Sequence, residues 1–158
     1  ERPIFLSQHQ KMKYAIFDID GCCLDNSARI SMLLSGDHKG FHDNWHLDIP
    51  IPQGVQMYAA IMKMPDVRTV FVTARTEKSR ATTLFQLTSL FGALRMRESR
   101  LLMRSPADKR RDADLKLGLI ADAGIPYNDI FICFDDRPCV IKAYRDQGWV
   151  AYQTAEGW

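Results

Sequence analysis

Short apolar runs alternate with longer amphipathic ones along this chain. Tyr14–Asp18 ("YAIFD") is too short for a helix, is soon followed by Gly21 and reads as a buried strand. Thr69–Ala74 ("TVFVTA") and Asp129–Asp136 ("DIFICFDD") repeat the pattern, and Arg100–Met103 and Trp149–Gln153 carry shorter versions of it. Helical spacing fills the gaps. Val55, Tyr58, Ala59 and Met62 share one face, with Pro65 closing the segment. Glu77–Phe91 ends near Gly92, and Asp108–Ala123 carries Leu115, Leu119 and Ile120 and stops at Gly124. Pro138 opens a last helix to Gln147, with Gly148 beyond it. Residues 26–52 are the irregular exception, where Gly36 and Gly40 argue against a helix. Met57, Met62 and Met64 are expected in the core.

Apolar strands alternating with helices predict one α/β domain, a mostly parallel sheet covered on both faces. The 158 residues suffice for a sizeable core, and 46% hydrophobic with 25% charged residues is the balance of a globular protein in water. A net charge of +2 gives no global attraction for nucleic acid, so any such case rests on local clustering. The densest basic stretch is Arg95, Arg97, Arg100, Arg104, Lys109, Arg110 and Arg111; a solvated face of mixed charge and a phosphate-contact surface explain it about equally well. No apolar stretch approaches ~20 residues and no signal-peptide pattern opens the chain, so no membrane association is expected. Cys22, Cys23, Cys133 and Cys139 fit no zinc-ligand spacing and read as reduced thiols in a cytoplasmic protein. His38, His42 and His46 recur every fourth residue, but a polar loop near a site mouth explains them better than zinc. Trp45, in the same loop, reads as an aromatic plug over the core rather than a base-stacking platform.

The chemistry gathers at strand ends. Asp18 and Asp20 would leave a strand on the same face, and two carboxylates ~4 Å apart repel by ~4 kcal/mol at an effective dielectric of ~20. Stability alone does not keep such a pair; a cation or a shared proton is expected between them. Thr73 and Arg75 end the second run and Asp135 and Asp136 the third. In open α/β sheets these ends line the ligand site. Acids grouped in this way make a hard, oxygen-rich site that favours Mg²⁺ over zinc. Thr73 adds a hydroxyl, while Arg75 and Lys116 are placed to hold phosphate oxygens. An aspartate beside Mg²⁺ and a cationic clamp can form an aspartyl-phosphate, so the chemistry reads as phosphoryl transfer.

"FDIDG", "FVTAR", "DADLK" and "FDDRP" follow one another from Phe17 to Pro138, about three quarters of the chain. In this order and context the four motifs resemble the haloacid dehalogenase (HAD) superfamily. The resemblance implies a Rossmann-like three-layer α/β/α sandwich, with Asp18 as nucleophile and Asp20 as general acid–base. It also implies Mg²⁺ held by Asp18, the Asp20 backbone carbonyl and Asp135, with Asp136 as a water-mediated or supporting ligand. Thr73 and Lys116 would bind the phosphoryl group. "FVTARTEKSR", "LLMRSPADKRRDADLK" and "FDDRPCVIKAYRDQGWVAYQ" more narrowly resemble the phosphatase domain of phage-type polynucleotide kinase-phosphatases. Arg29, nine residues after Asp20, then becomes a substrate-binding candidate, with Arg75 and with Asp112, four before Lys116. Cys22 and the Thr73–Ala74 pair depart from the usual residues of these families.

These readings predict a 1–12 tail and a 13–158 phosphatase domain in which 25–52 forms a minimal cap, open enough for a polynucleotide end. No GxxxxGK[ST] stretch is present, so any kinase domain would lie upstream of Glu1 in a parent chain. The expected activity is removal of a 3′-phosphate from nucleic-acid ends. A phosphatase of free nucleotides or other small metabolites is the first alternative, and a non-catalytic nucleic-acid-binding module the second.

Overall fold

Every apolar run becomes a strand. A computed structural model describes residues 11–156; the first ten residues of the expected tail, and Gly157 and Trp158, lie outside the described residues. The strands Lys13–Phe17 (β1), Val67–Thr76 (β4), Arg100–Arg104 (β5), Ile130–Asp135 (β6) and Ala151–Gln153 (β7) form one sheet. Its order is β5-β4-β1-β6-β7, and every neighbouring pair is parallel.

Side-chain alternation splits the core in two. Ala15, Phe17, Phe71 and Phe134 point to one face, where Tyr58 of α3 (Pro52–Ile61), Leu87 and Phe91 of α4 (Arg80–Phe91) and Met96 of α5 (Ala93–Glu98) cover them. Ile16, Val70, Val72 and Cys133 point to the other, against Ile120 of α6 (Asp112–Asp122) and Val140, Ile141 and Tyr144 of α7 (Pro138–Asp146). Burying one such side chain contributes about 1.5–3 kcal/mol, so both faces resist slippage of register. The result is the three-layer α/β/α arrangement.

From β1 the chain runs outward through β4 to β5, then returns to the far side of β1 with β6 and β7. That switch sets the carboxyl ends of β1, β4 and β6 side by side, where such sheets place their ligands. The first core also anchors the site. The Tyr58 ring stacks on Phe17 at 3.8 Å, and its hydroxyl donates to the backbone carbonyl of Asp18 at 2.9 Å.

Four expectations are corrected. Residues 26–52 are not irregular: they form α1 (Ser27–Leu34), α2 (His38–Asp43), a 3-10 turn at Trp45–Leu47 and β3 (Ile49–Pro50), which pairs antiparallel with β2 (Leu24–Asp25). Gly40 does not break α2. The Asp37 carboxylate caps that helix by accepting from the Gly40 amide at 2.7 Å, and a Cβ on Gly40 would meet it at 2.1 Å, so glycine is what the cap requires. The helix expected from Asp108 begins at Asp112, because the Asp108 side chain accepts from the Arg110 amide and holds the preceding residues in a turn. Met64 is 41% exposed and lies outside the core that Met57 and Met62 pack against.

Candidate active site

The turn after β1, the end of β4, the first turn of α6 and the end of β6 bring their polar groups to a cleft of about 160 Å³, which α1, α2 and Trp45 wall on the other side. Asp18, Asp20, Thr73, Arg75, Asp112, Lys116 and Asp136 all line it. Asp18 continues the sheet by donating its amide to the Phe134 carbonyl at 3.0 Å, and the chain then turns. Gly21 permits that turn with φ of 73°, and it also lets the loop close on β6, since a Cβ there would stand 2.5 Å from the Asp136 carboxylate.

Around Asp18 the cleft is acidic. Lys116 reaches from α6 to Asp18 Oδ1 at 2.8 Å and to Asp135 Oδ2 at 2.6 Å, with all three side chains buried. Asp136 lies alongside, so three carboxylates face one ammonium. Burial pushes the Asp18 carboxyl well up, against Lys116, and Asp135 and Asp136 raise it further. Burial and then Asp135 bring Asp136 to about 6. Lys116 stays charged: burial works against it, but Asp18 and Asp135 raise its pKa well above normal. Carboxylate oxygens of Asp18 and Asp136 and the Cys22 sulfur lie within 4.8 Å of one another. Burial raises the Cys22 thiol well above its usual range, which keeps it protonated and leaves the oxygens as the donors.

Around Asp20 the balance is reversed. Arg75 grips that carboxylate through Nε at 2.9 Å and Nη2 at 2.6 Å, and Arg29 Nη2 approaches at 3.4 Å. Burial would raise the Asp20 pKa, but Arg75 first and Arg29 after it hold it below the usual carboxylate value. Behind them Asp48, with a fully buried side chain, accepts from Arg29 Nε at 2.5 Å and from Arg75 Nη2 at 2.8 Å. The remaining Arg75 donors go to Gln86 Oε1 at 2.6 Å and Thr83 Oγ1 at 3.3 Å. Both guanidiniums lie against the Trp45 ring, at 3.9 Å for Arg29 and 4.5 Å for Arg75.

The repulsion read from the DxD spacing is met in part by cationic side chains. β1 ends at Phe17, and each aspartate has its own cationic partner, Lys116 for Asp18 and Arg75 for Asp20. Thr73 is buried and accepts from the Arg75 amide at 3.1 Å. Two candidates arrive in a different posture from the one expected of substrate ligands. Arg29 is completely buried and turned to Asp48 and Asp20, not into the cleft. Asp112 spends its carboxylate on Arg104 at 2.6 Å and Arg137 at 2.9 Å. The histidines split between α2 and the 3-10 turn and join no metal-ligand cluster among the described residues. Trp45 covers the arginines instead of the core. Asp48 and Gln86 escaped the sequence reading; Asp48 lies in a segment without periodicity, and Gln86 sits inside an ordinary helix.

The match to known families decides what this cleft belongs to. Residues 12–158 match the family described as the polynucleotide kinase PNKP phosphatase domain. The chain belongs to that family. It is thus a HAD-type phosphatase domain, and solved structures share its fold. A chain in the structure of a Pnkp1/Rnl/Hen1 complex superposes with a TM-score of 0.68 at 21% identity over 95% of this chain and 48% of the other. A hydrolase from Pseudomonas syringae gives 0.61 at 16% identity, over 93% and 87%. A haloacid dehalogenase-like hydrolase from Streptococcus pneumoniae gives 0.59 at 12% identity, over 90% and 84%. This phosphatase domain spans about half the length of the Pnkp1-complex chain. No curated protein sequence matches it. Among its described residues no helix is long and apolar enough to cross a membrane.

Proposed function

We propose that this domain is a Mg²⁺-dependent phosphomonoesterase that removes 3′-phosphates from nucleic-acid ends through an aspartyl-phosphate on Asp18. The observation that carries the reading is the Asp18–Lys116–Asp135 group, with Asp136 beside it: three carboxylates gathered around one buried ammonium at the cleft. That donor set suits a hard divalent cation. Asp18, the Asp20 backbone carbonyl, Asp135 and Asp136 would hold Mg²⁺, which when bound neutralises charge on the phosphoryl oxygens.

In the first step an Asp18 carboxylate oxygen attacks phosphorus, the bond from phosphorus to the sugar oxygen breaks, and Asp20 gives its proton to that oxygen. Water then attacks the aspartyl-phosphate, its proton passes to Asp20, and the bond to Asp18 breaks to release phosphate. Lys116 and the Thr73 hydroxyl hold the phosphoryl oxygens. Every Arg75 donor already has a partner, so a phosphate oxygen gains one only in exchange. When Asp20 gives up that donor, it loses part of what keeps it ionised and becomes able to carry the proton. Arg29 and Asp112 act one step back, Arg29 by fixing Asp20 and Asp48, Asp112 by fixing Arg104 and Arg137. The similarity to a chain found in a Pnkp1/Rnl/Hen1 RNA repair complex supports a role in end repair.

The test is phosphate release in Mg²⁺ from a 3′-phosphorylated oligonucleotide beside the matching 3′-mononucleotide. Faster release from the oligonucleotide is expected; equal or faster release from the mononucleotide would move the assignment to a nucleotide phosphatase.

A further inference from the structure

A second, larger groove of about 580 Å³ opens beside the active-site cleft and shares His42, Trp45 and Thr76 with it, so the two form one continuous depression. Three exposed lysines from three separate parts of the chain converge on it: Lys39 from α2, Lys78 from the 3-10 turn after β4, and Lys109 from the loop after β5. Among the described residues Asp43 is the one acid in the lining, and Lys39 already binds it; Lys78 and Lys109 pair with no described acid.

The loop that carries Lys109 is built rather than loose. Arg104 at the end of β5 donates to the carbonyls of Ala74, Asp108 and Arg110 and pairs with Asp112, binding the loop to β4 and α6. Much of the basic stretch noted in the sequence is consumed internally in this way: Arg104 holds the loop, Arg110 pairs with Asp108 at 2.6 Å, and Arg100 donates to the Ala123 carbonyl. Arg95, Arg97 and Arg111 stay unpaired among the described residues, but of the stretch only Lys109 lines the groove, where a lysine outside the stretch joins it. A solvated surface needs no such convergence around a depression continuous with a phosphate site.

We infer that this groove is the track for the single strand that precedes the terminal phosphate, with Lys78 and Lys109 taking two of its phosphodiesters. The inference rests on the 3′-phosphatase reading and gives that site its preference for chains over single nucleotides. Lysine ammoniums on phosphates position a strand without reading its bases, so the track is indifferent to sequence and takes DNA and RNA alike.

Binding tests the track apart from the chemistry. The probe is a fluorescent single strand of about ten nucleotides with a 3′-hydroxyl, as matched DNA and RNA, titrated against the wild-type chain and Lys78→Gln/Lys109→Gln across a salt series. Losing two phosphate contacts should weaken binding roughly tenfold and reduce the slope of log K against log salt by about 1.4 for both strands. In parallel, the preference in kcat/KM for the 3′-phosphorylated strand over the 3′-mononucleotide should fall about tenfold in the variant. Unchanged affinity, slope and preference, with melting as in the wild type, would overturn the track while leaving the phosphatase reading intact. A wild-type protein that binds strands through these lysines but releases no 3′-phosphate would overturn the reading beneath it instead. Should the Gln pair disturb folding, the single Lys78→Gln variant carries the same test with about half the slope change.

Discussion

Asp18 and Asp20 stand two residues apart and occupy opposite electrostatic surroundings. On the Asp18 side three carboxylates share Lys116, and burial lifts Asp18 and Asp136. On the Asp20 side two carboxylates share two guanidiniums, and Asp20 is held low. The first half has more carboxylates than cations; in the second the two are matched. Under the proposed function this division would separate tasks: the unbalanced half would gather metal and phosphate, and the balanced half would serve as a frame that yields one hydrogen bond at a time.

The sharpest break of the comparison is Asp18→Asn. Removing the proposed nucleophile should lower turnover on the order of 10⁴-fold or more, because in the proposed mechanism Asp135 and Asp136 are engaged by the metal and do not take the phosphoryl group. The fold should stand, since the substitution relieves one of three crowded carboxylates. A variant with near-wild-type turnover would remove Asp18 as nucleophile, and one that melted far below the wild type would show that the acidic half is structural.

On the balanced side the largest effect belongs to a residue no motif pointed to. Asp48→Ala takes the shared acceptor from two buried guanidiniums and should destabilise the fold by about 3–5 kcal/mol, the usual cost of orphaning a buried charge. Asp48→Asn, which keeps the shape and loses the charge, should cost less in stability and still cut turnover by roughly 10²-fold through misplacement of Arg75. Chemical denaturation of both variants, with kinetics of the Asn form, checks this. Full activity and stability in Asp48→Ala would mean the arginines need no second anchor.

These two predictions also mark how far the sequence could be read. The strands announced themselves because buried parallel strands are apolar throughout, and strand ends line the ligand site in such sheets, so the meeting of Asp18, Thr73 and Asp135 could be read there and that of Lys116 from its helix turn after Asp112. The segment from Asn26 to Pro52 was not. Gly40 looked like a breaker because the capping carboxylate that demands it comes from Asp37, a contact that propensity does not describe. Asp48 was hidden for a related reason: its partners, Arg29 and Arg75, lie 19 and 27 residues away and meet it only through tertiary folding. Trp45 was read as core because an aromatic ring in a loop carries no sign that two guanidiniums will lie against it.

The acidic half should respond to metal and to protons together. Mg²⁺ at about a hundred times its dissociation constant should add about 2.7 kcal/mol of stability, visible as a rise in melting temperature at pH 7.5. Asp136, raised to about 6, binds protons more tightly folded than unfolded, so in the absence of metal its contribution to stability is lost as pH rises through that value. Mg²⁺ needs the ionised form, and the same proton competes with it. The Mg²⁺-induced rise should therefore shrink markedly at pH 5.5. A rise of equal size at both values would take Asp136 out of the metal site, and no rise at either would remove the metal.

The smallest predicted effect decides how the two halves are coupled to the strand. Trp45 touches Arg29 and Arg75 and borders both the cleft and the groove. A ring over a guanidinium contributes about 0.5–2 kcal/mol, so Trp45→Leu should lower kcat/KM about tenfold while Trp45→Phe, which keeps a ring, should lose less. If the ring only holds the arginines, the loss is the same on a 3′-mononucleotide and on a 3′-phosphorylated strand. If the strand also passes over it, the loss on the strand is the greater, since stacking on a base adds about 1–3 kcal/mol to what the arginines supply. Leu and Phe variants with equal rates would reduce Trp45 to packing, and the arginine half would then be held by its hydrogen-bond partners, Asp20, Asp48, Thr83 and Gln86 among them.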